Sequence, residues 1–151
     1  MATMWHLTVD CTDSNRLVEF WCAALGYQPE PPPEGWATWW HYWREAGIPE
    51  DEIEGAETGS GAIIDPDGLG PRIWFQEVPE PKTTKNRLHI DVRHTPGRQA
   101  MPYAERRASI DAEVARLTAL GASTAYTNAP EGADYYGVTM RDPEGNEFCV
   151  A

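Results

Sequence analysis

A chain of 151 residues can bury the core of one domain but not of two, so any internal duplication has to pack as a single unit. With 24 acidic against 12 basic side chains the net charge is −12, a field that repels phosphate backbones and anionic lipid and so excludes nucleic acid and membrane surfaces as partners. Cys11, Cys22 and Cys149 stand at unrelated spacings with no CxxC pair, there is no basic-then-apolar leader, and no apolar run reaches membrane length, so the chain reads as cytoplasmic.

Residues 4–10 alternate as a strand. Asp13 or Ser14 can cap the helix that follows, whose apolar positions Leu17, Phe20, Trp21, Ala24 and Leu25 share one face and which Gly26 stops. Pro29 to Pro33 is a stiff connector, and Trp36, Trp39, Trp40 and Trp43 then recur at i, i+3, i+4, i+7, the spacing of a helical face, read as packing on the sheet or on a second subunit in preference to forming a ligand box. The acidic stretch Glu50 to Gly59 leads into the strand Ala62-Ile63-Ile64, the turn Asp65-Pro66-Asp67-Gly68 and a strand from Arg72 to Val78. Residues 79–86 read as a linker to a strand from Arg87 to Arg93. A second helix begins near Pro102, buries Ile110, Val114, Leu117 and Leu120, and ends at Gly121. Strands near 122–127 and 135–141, the turn Asp142-Pro143-Glu144-Gly145 and a last strand Glu147-Phe148-Cys149-Val150 complete the chain. Each half therefore reads β-α-β-β-β, with one strand of the first half unplaced inside residues 27–60, and the class is α+β.

Alternation sorts each strand into two faces. Leu7 and Val9, Ile73 and Phe75, Leu88, Ile90 and Val92, and Phe148 and Val150 should pack beneath the helices. The opposite face then carries His6, Thr8 and Asp10, Trp74 and Gln76, His89, Asp91 and Arg93, and Glu147 and Cys149. On a flat sheet these are solvated strand residues, whereas on a strongly curved one they line the inside of a cup suited to a small-molecule ligand. Lys82, Lys85, Asn86 and Arg87 form a basic cluster, read as a solvated linker that closes the fold by hydrogen bonds in preference to a site for an anionic substrate group. His41 and His94 read as structural or surface residues.

The duplicated β-α-β-β-β pattern, the strand openings His6-Leu7-Thr8-Val9 and His89-Ile90-Asp91-Val92, the helix ends Ala24-Leu25-Gly26 and Ala119-Leu120-Gly121, and the turn Asp142-Pro143-Glu144-Gly145-Asn146 resemble the vicinal oxygen chelate superfamily, which includes glyoxalase I, bleomycin-resistance proteins and extradiol dioxygenases. The run from Gly70 through Lys82 to His89 is similar to a glyoxalase-like subgroup common in actinobacteria. The resemblance covers nearly the whole chain. It implies one glyoxalase-like domain over 1–151, with modules at about 1–80 and 87–151 forming a curved eight-stranded mixed sheet around a cup-shaped cavity, helices outside. A homodimer is also implied.

In metal-dependent members the ligands come from the first and last strands of each half, which points to His6, Gln76, His89 and Glu147. Trp74 stands on the same face as Gln76, and the position of the family's last ligand is held by Cys149. The resemblance thus implies a divalent ion (Zn, Ni, Mn or Fe) or no metal at all. With an ion, a substrate bearing neighbouring oxygens undergoes isomerase or lyase chemistry, Glu147 moving the proton while Trp74, Asp91, Arg93 and Cys149 contact the ligand. Without one, the chain is a small-molecule binding or drug-sequestering protein. Ring-cleaving dioxygenase chemistry ranks lower, because its enzymes usually carry two such duplicated domains.

Overall fold

A computed structural model describes residues 3–151. The chain divides into two compact units, Met1–Glu80 and Pro81–Ala151, so the boundary falls at the start of the proline-rich linker. In the first unit β1 (Leu7–Cys11), α1 (Ser14–Leu25), β2 (Gln28–Pro29), α2 (Trp39–Glu45), β3 (Ala62–Ile64) and β4 (Ile73–Glu77) follow in order, with a 3-10 turn at Glu50–Glu52. The second contains β5 (Ile90–Val92), α3 (Tyr103–Ala119), β6 (Ser123–Asn128), β7 (Gly137–Arg141) and β8 (Glu147–Val150). The strand missing from the sequence reading is the two-residue β2.

Each unit builds its own four-stranded mixed sheet, ordered β1-β4-β3-β2 and β5-β8-β7-β6. The two orders are the same order. In both, the first strand runs parallel to the last, and the remaining pairings are antiparallel. A parallel pair cannot be joined by a hairpin, so the first and last strands of a half are separated by its helix and the rest of its strands.

The Asp13 side chain accepts a hydrogen bond from the Arg16 amide at 3.1 Å, making Asp13 rather than Ser14 the cap of α1. Leu17, Phe20, Trp21 and Ala24 are its buried stripe. The Asp-Pro-acidic-Gly motif is explained in both units by hydrogen bonds within the turn. Asp65 accepts from the amides of Asp67, Leu69 and Gly70 at 2.7–3.0 Å, and Asp142 from those of Glu144 and Asn146 at 2.9–3.0 Å. Gly68 and Gly145 close the two turns at φ +68° and +86°, conformations open chiefly to glycine.

Several expectations need correction. Leu88 is 82% exposed instead of buried, because β5 begins only at Ile90 and the ladder with Phe148 starts there. Leu7, Val9, Ile90 and Val92 are half-buried, since β1 and β5 each lie first in their ladder with one hydrogen-bonded neighbour. The deep core holds Phe75 and Leu17 in the first unit and Phe148, Val150, Ile110 and Leu117 in the second, all expected to be buried, together with Ile63 and Met140.

On α3 the buried positions are Arg106, Ile110, Glu113 and Leu117, while Leu120, one residue past the helix, is 41% exposed. Two charges thus stand in a stripe expected to be apolar, and both are paired. Arg106 bonds Asp134 and the Met101 carbonyl, and Glu113 takes a bidentate bond from Arg116 at 2.6–2.7 Å. His94 approaches Glu113 at 3.9 Å, a partner that sequence spacing does not reveal.

The tryptophan helix is shorter than its spacing suggests. Thr38 caps it, accepting from the His41 amide at 3.2 Å, which leaves Trp36 outside. Trp39, Trp40 and Trp43 are half-buried and pack mainly among aromatics, Trp39 against both Trp43 and Tyr42, while the Trp39 indole donates to the Glu30 carbonyl at 2.9 Å.

Candidate functional site

In the second unit Asp91 on β5 lies directly across the parallel ladder from Cys149 on β8. His89 precedes Asp91 by two residues, and residues two apart on extended backbone point to the same side. The three side chains therefore meet. His89 Nδ1 is 3.1 Å from Asp91 Oδ1 and 3.7 Å from Cys149 Sγ, and one donor atom from each of the three lies within 4.8 Å of the others. Thr139 on β7, the cross-strand partner of Cys149 on its other side, places Oγ1 3.5 Å from the sulfur. His89 and Asp91 are exposed and Cys149 is half-buried, so the cluster opens to solvent.

Tetrahedral bonds of about 2.0–2.3 Å to an ion put ligand atoms roughly 3.3–3.8 Å apart, close to the two spacings from His89 Nδ1. One imidazole nitrogen, one carboxylate oxygen and one sulfur make a donor set of intermediate softness, suited to Zn(II) and its neighbours more than to Mg(II) or Ca(II). Among the described residues this is the one group of three potential ligands so arranged.

Glu147 shares the half-buried face of β8 with Cys149 but is otherwise engaged. Its carboxylate pairs with Lys85, its amide donates to Asn86 Oδ1 at 3.2 Å, and Arg141 stands 3.9 Å away. The hydrogen bond from Lys85, with the charges of Lys85 and Arg141, holds the Glu147 carboxyl below the usual carboxylate range. The basic linker therefore docks on β8 through Lys85 and Asn86. Arg93, just past β5, lines a separate cavity of about 240 Å³ with Arg98, Arg106, Tyr135 and Tyr136.

The first unit has the same frame with other residues on it. Thr8 pairs with Trp74 across the β1–β4 ladder, the register position that Asp91 and Cys149 occupy in the second unit. His6, exposed, stands just before β1 as His89 stands just before β5. Gln76 is one same-face step further along, across from Asp10, and is half-buried. Trp74 is 36% exposed and lines a cavity of about 180 Å³. Near His6 the Glu30 carboxylate is held by Arg72 at 2.6–2.7 Å and by Ser60 at 3.1 Å; burial raises its pKa, but these partners outweigh burial and the net direction is down.

Sequence reasoning grouped His89 and Glu147 as ligands and left Asp91 and Cys149 as ligand contacts, whereas the structure brings His89, Asp91 and Cys149 together. The signal for Asp91 was present in its two-residue spacing from His89. The pairing of Lys85 with Glu147, 62 residues away, had none.

A family model described as a glyoxalase-like domain matches residues 6–151. No curated protein matches the chain by sequence. Among solved structures, the fosfomycin resistance protein FosX from Listeria monocytogenes, in a point-mutant form complexed with Mn(II) and 1S,2S-dihydroxypropylphosphonic acid, aligns at TM-score 0.59 and 12% identity over 99% of this chain and 89% of that one. A glyoxalase/bleomycin resistance protein/dioxygenase family enzyme from Burkholderia phytofirmans PsJN aligns at 0.56 and 15% over 99% and 97%, and hypothetical protein SA1046 from S. aureus at 0.55 and 14% over 99% and 96%. Identities this low establish the fold and no more. No helix among the described residues is long and apolar enough to cross a membrane. The family match over almost the entire sequence, together with the repeated strand order, makes the chain a member of the glyoxalase-like domain family and, with it, of the vicinal oxygen chelate superfamily.

Proposed function

We propose that this protein is a glyoxalase-like enzyme acting on a small molecule with neighbouring oxygens, dependent on a divalent ion that His89, Asp91 and Cys149 hold. The observation that carries this reading is the convergence of those three donor atoms within 4.8 Å on the frame of a superfamily whose FosX relative was solved with Mn(II). A bound ion would supply positive charge to polarise the substrate oxygens. Glu147, kept ionised by Lys85, stands on the same face of β8 as Cys149 and is the group that would accept a substrate proton. His6 and Gln76 remain ligand candidates, and a cup and a homodimer remain expectations, on the family resemblance; a cytoplasmic location rests on the cysteine pattern.

The second reading is a metal-free small-molecule binding protein of the drug-sequestering kind. The engagement of Glu147 by Lys85 favours it, because a carboxylate already paired is a poorer ligand and a poorer base.

Calorimetric titration of Zn(II), Ni(II) and Mn(II) into chelator-treated, untagged protein separates the two. The enzyme reading expects a single site that tightens from Mn(II) to Zn(II) and disappears in His89→Ala. Heats indistinguishable from buffer for all three ions would leave the binding reading in its place.

A further inference from the structure

The charge of the chain is not spread evenly. Residues 1–80 contain 15 of the 24 acidic side chains and three of the 12 basic ones, so the whole net charge of −12 resides there, and residues 81–151 are balanced at nine and nine. Within this acidic unit the cavity of about 180 Å³ is lined by two indoles, Trp43 from α2 and Trp74 from β4, and by three carboxylates, Glu52, Glu54 and Glu77. None of the unit's three basic side chains lines it. Arg72 is taken by Glu30, and Arg44 by Glu50 at 3.4 Å and by the face of Trp40 at 4.9 Å, while Arg16 is also absent from the walls.

From this we infer that the cavity is a binding site for a small organic cation, an ammonium or guanidinium head group, with no lining residue in common with the His89 cluster. An indole ring and a carboxylate can attract the same charge by different means, one through the ring quadrupole and the other through Coulomb's law. The N-terminus of α1 does not turn the site toward anions, because Glu77 Oε1 already accepts from the Ser14 amide at 3.0 Å and from its hydroxyl at 2.7 Å. A point ion is also disfavoured. Among the described residues only His89, Asp91 and Cys149 bring three ligand atoms within 4.8 Å, so Glu52, Glu54 and Glu77 do not converge on one ion and suit a charge spread over several atoms. The volume is below the roughly 300–1,000 Å³ of drug-sized sites, which fits a head group more than a whole drug.

The test titrates phenyltrimethylammonium into the full chain in the presence of chelator and follows the indole N–H signals, with benzoate and benzyl alcohol as partners of similar size but different charge. Phenyltrimethylammonium is expected to move the Trp43 and Trp74 signals, identified from the Trp43→Phe and Trp74→Phe variants, and benzoate to move neither. Trp43→Leu should weaken the cation about two- to fivefold. Glu52→Gln combined with Glu54→Gln, two exposed positions that leave the fold intact, should weaken it at low salt and flatten its salt dependence. His89→Ala should leave it unchanged, so failure here does not touch the metal reading and failure of the metal reading does not touch this one. Benzoate or benzyl alcohol shifting the same signals with equal affinity would overturn the inference, as would a cation affinity indifferent to both the tryptophan and the glutamate variants, or, after the chelator is removed, displacement of the cation by stoichiometric Ca(II).

Discussion

Thr8 and Trp74 in the first unit occupy the register positions that Asp91 and Cys149 occupy in the second, with His6 and His89 in matching places before their strands. The same backbone therefore gives the matching places to an imidazole, a hydroxyl and an indole in one half, and in the other to an imidazole, a carboxylate and a thiol, whose donor atoms converge. Charge divides along the same line, with all the net negative charge in residues 1–80. Duplication thus fixes where side chains point and leaves their chemistry free. One unit can be built to hold an ion and the other to hold an aromatic or cationic ligand without any change in strand order.

The equivalence of the two halves is tested most severely in the core. Phe75 and Phe148 are each 2% exposed or less, in the last strand of their own sheets, and Phe→Ala at either should cost about 3–5 kcal/mol in urea unfolding. A cost at one site several times that at the other would show that the matched sheets do not contribute comparably.

At the register pair, Cys149→Ser should reduce Zn(II) affinity by roughly 10- to 100-fold, since a hydroxyl is a far weaker ligand than a thiolate, while Trp74→Phe leaves it unchanged. Equal losses in calorimetry would mean that the two positions are not chemically distinct.

The Asp-Pro-acidic-Gly turns give a finer contrast. Asp142 is 3% exposed and also takes two bonds from the Asn146 side-chain amide, so Asp142→Ala should cost about 2 kcal/mol by strand-turn-strand unhinging. Asp65→Ala, at a half-buried turn, should cost less by the same unfolding measurement.

The smallest effect concerns acid. Glu113 is held low by its hydrogen bonds from Arg116, with His94 nearby; at Glu30 burial pushes upward and Arg72 with Ser60 reverses it. Carboxyls lowered in the folded state contribute stability that is full above their unfolded pKa of about 4.3 and is lost as pH falls through the lower folded value. The urea midpoint should thus be level from pH 7 to about 5 and decline below about 4. Glu30→Gln should flatten that decline through the first unit and Glu113→Gln through the second.

Much of what local period and short-range bonding carry was legible in the sequence, although the Thr38 cap that leaves Trp36 outside α2 was not. Alternation around Ile73, Phe75, Phe148 and Val150 marked the core face, Asp13 and Gly26 bounded α1, and both Asp-Pro-acidic-Gly turns could be read because their hydrogen bonds span at most five residues. Recognition of the repeated β-α-β-β-β pattern followed from the same signals. Tertiary structure settled what depends on register and on neighbours far along the chain. Leu88 is exposed because the β5 ladder starts two residues later, and Arg106 and Glu113 are buried because Asp134, Arg116 and His94 satisfy their charge. At the candidate site, the side of β8 on which Cys149 lies could be read from alternation, but its position across from Asp91 could not. A parallel pairing between strands nearly 60 residues apart is set by how the helix and the intervening strands pack, and no period in the sequence records it.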